Sequence, residues 1–103
     1  MATALFTVKA TITPDLEKAF NEWYNQEHIP DVFKYKGVVS ARRYKATVPE
    51  DKFQYLAVYE FASEEILEGF LKSDFLKTLK KECDAHFGEV SERQWAVYAQ
   101  VWP

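Results

Sequence analysis

The sequence has little cysteine, little glycine and no long apolar run. Its single cysteine, Cys83, allows no internal disulfide and no cysteine-based metal site, and its place on an apolar helical stripe predicts a buried structural thiol rather than a nucleophile. The three glycines are scattered, which excludes a glycine-rich phosphate loop. No apolar stretch reaches 18 residues, and the first residues lack the basic and apolar pattern of a secretory signal. We therefore expect a soluble, cytoplasmic protein.

Positive charge is also scarce, whereas aromatic side chains are abundant. Thirteen Lys and Arg against 16 Asp and Glu give a net charge of -3, so the chain offers no basic surface for nucleic acid. We expect neither a nucleic-acid nor a membrane partner. Aromatic residues make up 17% of the chain. A single domain over residues 1–103 cannot bury so many large rings in one core, and this surplus predicts an interface or a ligand pocket.

The hydrophobic pattern predicts six elements in the order strand, helix, strand, strand, helix, strand. Strands are expected over residues 5–12, 38–46, 54–61 and 95–102. A first helix should start at Thr13 and end or kink near Pro30, because proline disfavours helical geometry at the residue before it. The second should be capped by Ser63 and can break at Ser73-Asp74. This order predicts an α+β, ferredoxin-like fold, a four-stranded antiparallel sheet with helices on one face.

Helices on one face leave the other face of the sheet bare. On this open face we place Tyr44, Tyr98 and Trp102, with Tyr55 and Tyr59 as further candidates. Such a face needs a cover, and a second copy of the same chain is the commonest one. The sequence therefore predicts a homodimer closed through its sheets.

The end of the first helix holds the strongest candidate for chemistry. At α-helical spacing, Glu27 shares the core-facing stripe of Trp23, and Tyr24 and His28 are neighbours four residues apart. Asp31 joins them if the chain folds back. Histidine titrates near neutral pH and a nearby carboxylate raises its basicity, so the pattern predicts a general acid/base site with His28, Tyr24 and Glu27 as catalytic residues. The alternative is that His28 only satisfies carbonyl groups at a helix end.

Two consecutive arginines on the second strand must point to opposite faces of the sheet. Because Arg42 shares its face with Tyr44, we assign to Arg42 the binding of an anionic or enolate oxygen. The alternative for Arg42 is a surface or dimer salt bridge. Arg93 is a further, less supported candidate for the same role.

Three blocks of the sequence resemble the EthD-like branch of the dimeric α/β-barrel superfamily. They are residues 23–32, with the element His28-Ile29-Pro30 after an aromatic helix, residues 37–44 and residues 55–61. The resemblance implies a homodimer with a pocket between sheet and helices in each protomer, and His28 as the matching catalytic residue. The wider superfamily includes cofactor-free monooxygenases, isomerases, lactone-processing enzymes, dehydratases and cyclases of aromatic or polyketide-like compounds, and also haem-binding proteins.

Three functions remain open at this point. The first is a small cofactor-independent isomerase, cyclase, dehydratase or oxygenase that acts on a hydrophobic aromatic or polyketide-like carbonyl compound through His28. The second is a non-catalytic, dimeric ligand-binding or accessory protein of a biosynthetic or degradation pathway, and the third is a dimer whose aromatic residues serve only the interface. We expect no metal, haem or other cofactor, because two histidines with scattered carboxylates form no ligand set. The predicted substrate contacts are Trp23, Asp31, Arg42, Tyr44, Tyr59 and Tyr98.

Overall fold

Four strands form one antiparallel sheet in the computed structural model, which describes residues 2–103. The strands are β1 (Ala4–Ile12), β2 (Val38–Lys45), β3 (Tyr55–Phe61) and β4 (Ser91–Ala99), in the spatial order β2-β3-β1-β4. With the helices on one face, this is the predicted ferredoxin-like α+β fold. The last strand begins four residues earlier than expected, because the polar residues from Ser91 onward pair with the far end of β1 at Ile12.

Two helical segments cross the same face of the sheet. The first comprises a 3-10 turn (Pro14–Leu16), α1 (Glu17–Trp23), a π-helical turn (Tyr24–His28) and α2 (Ile29–Phe33), and the second comprises α3 (Glu64–Leu71) and α4 (Asp74–Phe87). The expected break at Ser73-Asp74 is confirmed. The Ser73 hydroxyl accepts a hydrogen bond from the Leu76 amide at 3.1 Å, so it caps the start of α4.

The first helical segment differs from the prediction at Pro30. The helix does not end there; its irregularity is the π-helical turn that ends at His28, where the Ile29 amide donates to the Tyr24 carbonyl five residues back. The π-helical turn changes the hydrogen-bond register just before the proline, and the chain then stays helical to Phe33. This wider turn also alters which side chains face the core.

The strand register decides which rings the helices cover. Phe6 pairs with Tyr59 on β3 and with Val97 on β4, so these residues share the helix-covered face. The placement of Tyr55 and Tyr59 on the open face was wrong. Both are buried beneath the helices, and Tyr59 is only 1% exposed, because β3 presents every second residue back from Phe61 to the core.

The open face carries two of the predicted rings. Tyr98 pairs with Leu5 and Tyr44 with Leu56, and the two tyrosines are 55% and 51% exposed. Trp102 is exposed beyond the end of β4. Within residues 2–103, no helix combines the length and the apolar character needed to span a bilayer.

Candidate functional site

A cavity of about 240 Å³ lies between the helix-covered face of the sheet and the helices. This volume is below the roughly 300–1,000 Å³ of pockets for drug-sized ligands, so it suits a ligand of one or two rings. Its apolar lining comes from Phe6, Val8, Val32, Phe70, Leu76, Leu79 and Trp95. Its polar lining comes from Tyr24, His28, Tyr59, Lys80, Cys83, Asp84 and Arg93.

His28 lies at the end of the π-helical turn, packed between two aromatic rings. Its imidazole stacks on the indole of Trp23, with ring centroids 5.0 Å apart, and meets the ring of Tyr24 edge to face at 4.8 Å. The Nδ1 atom is buried and has no hydrogen-bond partner among residues 2–103. A buried polar atom without a partner is rare in folded proteins.

Burial lowers the pKa of His28 to about 4, because the interior disfavours the charged imidazolium. The Asp31 carboxylate acts in the opposite direction, and the guanidinium groups of Arg93 and Arg43 lower the pKa further. The imidazole is therefore neutral at physiological pH. A neutral ring nitrogen can accept a hydrogen bond or a proton from a ligand.

Two phenols and one thiol complete the interior of the site. The hydroxyl of Tyr24 lies 3.7 Å from Sγ of Cys83, whereas the buried hydroxyl of Tyr59 has no partner in the part of the chain that the structure describes. Burial raises the pKa of both phenols well above their ordinary value of 10.0 and also raises the pKa of the Cys83 thiol. The phenols are therefore hydrogen-bond donors, and the buried, protonated thiol agrees with a structural role.

Glu27 and Asp31 do not line the cavity. Glu27 is exposed. It lies in the π-helical turn, where the α-helical spacing used for the prediction does not apply. His28, five residues after Trp23, packs against that indole instead. Asp31 is half-buried, and its carboxylate accepts a hydrogen bond from Lys34 at 3.0 Å. Of the two predicted carboxylates, only Asp31 affects His28, through a charge that raises the pKa of the imidazole.

Arg43, not Arg42, faces the helices. Arg43 pairs with Ala57 on the covered face, so Arg42 lies on the open face with Tyr44 and does not reach the cavity. The prediction that Arg42 faces the cleft is wrong, and Arg43 does not line the cavity either. Tyr44 and Tyr98 likewise lie outside the cavity.

The Arg43 guanidinium joins β2 to the first helical segment. It lies 4.7 Å from the ring centroid of Tyr24 and 5.1 Å from that of Tyr55. It also donates to the side-chain oxygens of Asn21 and Asn25, at 2.9 and 3.0 Å. These contacts give Arg43 a structural role behind the site.

The mouth of the cavity carries residues that the sequence reasoning missed or gave little weight. Arg93 projects from the covered face of β4 and donates a hydrogen bond to the carboxylate of Asp84. The ammonium group of Lys80 lies 6.0 Å from the ring centroid of Trp95. Extending the alternation of β4 back from Trp95 would have placed Arg93 on the same face.

A metal centre is not assembled by these residues. In the described chain, no three His, Cys, Asp or Glu side chains lie close enough together to hold a metal ion.

Several solved structures share this fold. An ethyl tert-butyl ether D (EthD) family protein from Bacillus halodurans is 21% identical, with 93% of this chain and 97% of that chain covered and a TM-score of 0.68. HapK from Hahella chejuensis is 13% identical over 100% and 95% of the two chains, with a TM-score of 0.69. A Nitrosomonas europaea protein, provisionally named an antibiotic biosynthesis monooxygenase, is 13% identical over 98% and 92%, with a TM-score of 0.68. These likenesses show that the chain shares the ferredoxin-like α+β fold of these proteins.

Sequence comparison places the chain in a family. No curated protein matches it. The model of a domain of unknown function, DUF4286, matches residues 3–93. The chain therefore belongs to the DUF4286 family and has the ferredoxin-like fold of the EthD proteins.

Proposed function

We propose that this protein is a small, cofactor-independent enzyme that transfers a proton on a hydrophobic aromatic or polyketide-like carbonyl compound, with His28 as the general acid/base. One observation carries the proposal. The Nδ1 atom of His28 and the hydroxyl of Tyr59 are both buried without partners in the described residues, and both residues line the same cavity. Buried polar groups are almost always hydrogen-bonded, so a ligand that satisfies both groups accounts for them.

The neutral imidazole and the protonated phenols suit deprotonation next to a carbonyl group. The carbonyl oxygen of the substrate would accept a hydrogen bond from Tyr59, and His28 would take a proton from the adjacent carbon. The electron pair of the broken C–H bond then forms the enolate, and the imidazolium returns its proton to another atom to give an isomer. Tyr24 is the second donor available to the enolate oxygen.

The low pKa of His28 makes it a weak base in the empty cavity. A general base works best with a pKa near the working pH. The negative charge of a forming enolate would raise the pKa of His28 as the proton arrives, because an opposite charge nearby favours the imidazolium. The provisional name of the Nitrosomonas europaea protein supports a small-molecule substrate for this fold.

A second candidate function is non-catalytic ligand binding. The pKa of about 4 favours it, because an imidazole that stays neutral serves as a hydrogen-bond acceptor without ever taking the proton. In that case His28 and Tyr59 orient a ligand that another protein converts.

Deuterium exchange distinguishes the two candidates. The test compound is 2-tetralone, a two-ring ketone, incubated in D2O with wild type, His28→Gln or His86→Gln, and exchange beside the carbonyl is followed by NMR. For the enzyme, His28→Gln should lower the exchange rate by roughly 10²–10⁴-fold, the usual contribution of a general acid or base, with little change in melting temperature. His86, which does not line the cavity, is the matched control.

Two results would contradict the enzyme function or the role of His28 in it. Binding of the ketone without catalysed exchange in wild type would favour the ligand-binding function. Exchange that is catalysed equally by wild type and His28→Gln would exclude His28 as the base.

A further inference from the structure

The residues that line the cavity include more cations than carboxylates. Arg93 and Lys80 line the cavity, and Asp84 is the only carboxylate among the lining residues. Behind Tyr24 lies the guanidinium of Arg43, whose hydrogen bonds go to amide oxygens and which has no carboxylate within ion-pair distance in residues 2–103. A cavity with this charge distribution favours an anion over a neutral ligand.

Arg93 is the less exposed of the two cations that line the cavity. It stands on the covered face of β4, opposite Ala10 and two residues before Trp95, and its side chain is 26% exposed. One terminal nitrogen donates to Asp84, but a guanidinium has five N–H donors, so others remain for a ligand. The Asp84 side chain is 60% exposed, and water screens the charge of so exposed a carboxylate.

An anionic ligand in this cavity would need a positively charged partner. The cavity wall is mostly apolar, and its phenols and imidazole are neutral. An ionised oxygen in apolar surroundings is costly unless an opposite charge pairs with it. Arginine gives planar, charge-assisted hydrogen bonds to oxyanions, and the rings of Phe6 and Trp95, 6.0 Å apart, supply an aromatic wall beside it.

We propose that the cavity selects small aromatic compounds with an acidic enol or hydroxyl group and binds them as oxyanions, with Arg93 as the charge partner. This inference rests on the proposed function and narrows its substrate class to carbonyl compounds with an ionised oxygen apart from the carbonyl group on which His28 acts. Acidic enols of one or two rings fit both the volume and the charge of the site. Arg93, and not Arg42 on the open face, then determines the preference for an anionic over a neutral ligand.

A matched pair of compounds tests the inference. At neutral pH 2-hydroxy-1,4-naphthoquinone is an anion, whereas its methyl ether, 2-methoxy-1,4-naphthoquinone, has nearly the same shape and no charge. Isothermal titration calorimetry at low salt should give wild type at least about tenfold tighter binding of the acid, the scale of a hydrogen bond to a charged group. Arg93→Gln should lose about tenfold or more in affinity for the acid and bind the ether unchanged. Arg42→Gln should lose no affinity for either compound.

A second variant separates anion binding from loss of the ion pair. Asp84→Asn breaks the same pair as Arg93→Gln but frees the guanidinium, so it should bind the acid more tightly than wild type. Opposite changes in the two variants support the inference, whereas weaker acid binding in both would show that only the ion pair matters and would overturn it. Equal binding of acid and ether by wild type, or binding of neither, would also overturn it. The proposed function is judged separately, by exchange on the neutral ketone.

Discussion

The indole of Trp23 lies nearly parallel to the imidazole of His28, with centroids 5.0 Å apart and planes inclined by 22°. The π-helical turn makes this contact possible, because it brings residues five apart in sequence to the same side of the helix. The same indole also contacts His86, at 4.8 Å. Trp23, which the sequence predicted as a substrate contact, does not line the cavity and instead packs against the imidazole of His28.

Replacing Trp23 should raise the pKa of His28. In Trp23→Leu, water would reach the imidazole, and its pKa should move from about 4 towards the ordinary value of 6.5, because burial is the main cause of the low value. NMR titration of the ring protons measures this change, with His28→Gln to assign the signals. His86→Gln should leave the titration of His28 unaltered. A pKa that stays near 4 in Trp23→Leu would show that Trp23 does not shield the ring.

The stability of the protein should depend on pH through His28. The pKa of His28 is lower in the folded protein than in the unfolded chain, so the unfolded chain binds more protons between pH 6.5 and 4. The unfolding free energy should therefore fall as the pH drops through this window, by up to about 3 kcal/mol from this residue. Above pH 7 His28 is neutral in both states and should add no pH dependence. Urea unfolding at pH 7.5 and 4.5 measures it.

The carboxylates also titrate at low pH, and a difference between variants removes their contribution. His28→Gln should lose less stability between the two pH values than wild type does. If the loss is the same in both proteins, burial of a neutral His28 is not the cause.

Tyr59→Phe should stabilise the protein while weakening the site. It removes a buried hydroxyl that has no partner among the described residues, and such a group costs about 1–3 kcal/mol. Tyr55→Phe is the matched control on the same strand. Its hydroxyl donates to Glu17 and accepts from Asn21 at 3.1 Å, so its removal should lower the unfolding free energy by about 0.5–1.5 kcal/mol.

Denaturant unfolding and 2-tetralone binding should be measured together on both tyrosine variants. Stability lost in Tyr59→Phe would mean that its hydroxyl already has a partner, such as an ordered water. Unaltered ketone binding in that variant would remove Tyr59 from the site.

The neighbouring arginines 42 and 43 should differ in their contribution to stability. Arg43→Leu removes the contacts with Tyr24 and Tyr55 and two hydrogen bonds, and should lower the unfolding free energy by about 1–3 kcal/mol. Arg42→Leu, on the open face, should change it by less than about 0.5 kcal/mol. Similar values for the two variants would contradict the face assigned to each residue.

The open sheet face should be covered by a second copy of the chain. Tyr44 and Tyr98 are half-exposed there, and a sheet face that keeps large rings favours association. Light scattering at micromolar concentration should give twice the chain mass of 12.0 kDa, and Tyr98→Lys should lower it towards 12.0 kDa. Thr78→Lys, at an exposed position of α4 on the helix side of the sheet, is the control. A mass of 12.0 kDa for wild type would contradict the homodimer.

Much of the architecture follows from local patterns in the sequence. Alternation along the strands and the 3.6-residue stripes of the helices predicted the order of the elements, and this order defines the fold. The break before α4 was predicted for the same reason, since Ser73 caps a helix through its own local geometry. His28 and Tyr24 were also chosen from the sequence and line the cavity, as does Tyr59, which the sequence reasoning had placed on the open face.

The tertiary structure alone decided which partners these residues meet. Alternation shows that Arg42 and Arg43 point to opposite faces, but only the pairing of β2 with β3 determines which face the helices cover. The π-helical turn, which has no local sequence signature, moved Glu27 to the surface and His28 against Trp23. Arg93 became part of the site because β4 pairs with β1, some 80 residues away along the chain, and contacts between such distant segments depend on packing that no local pattern encodes.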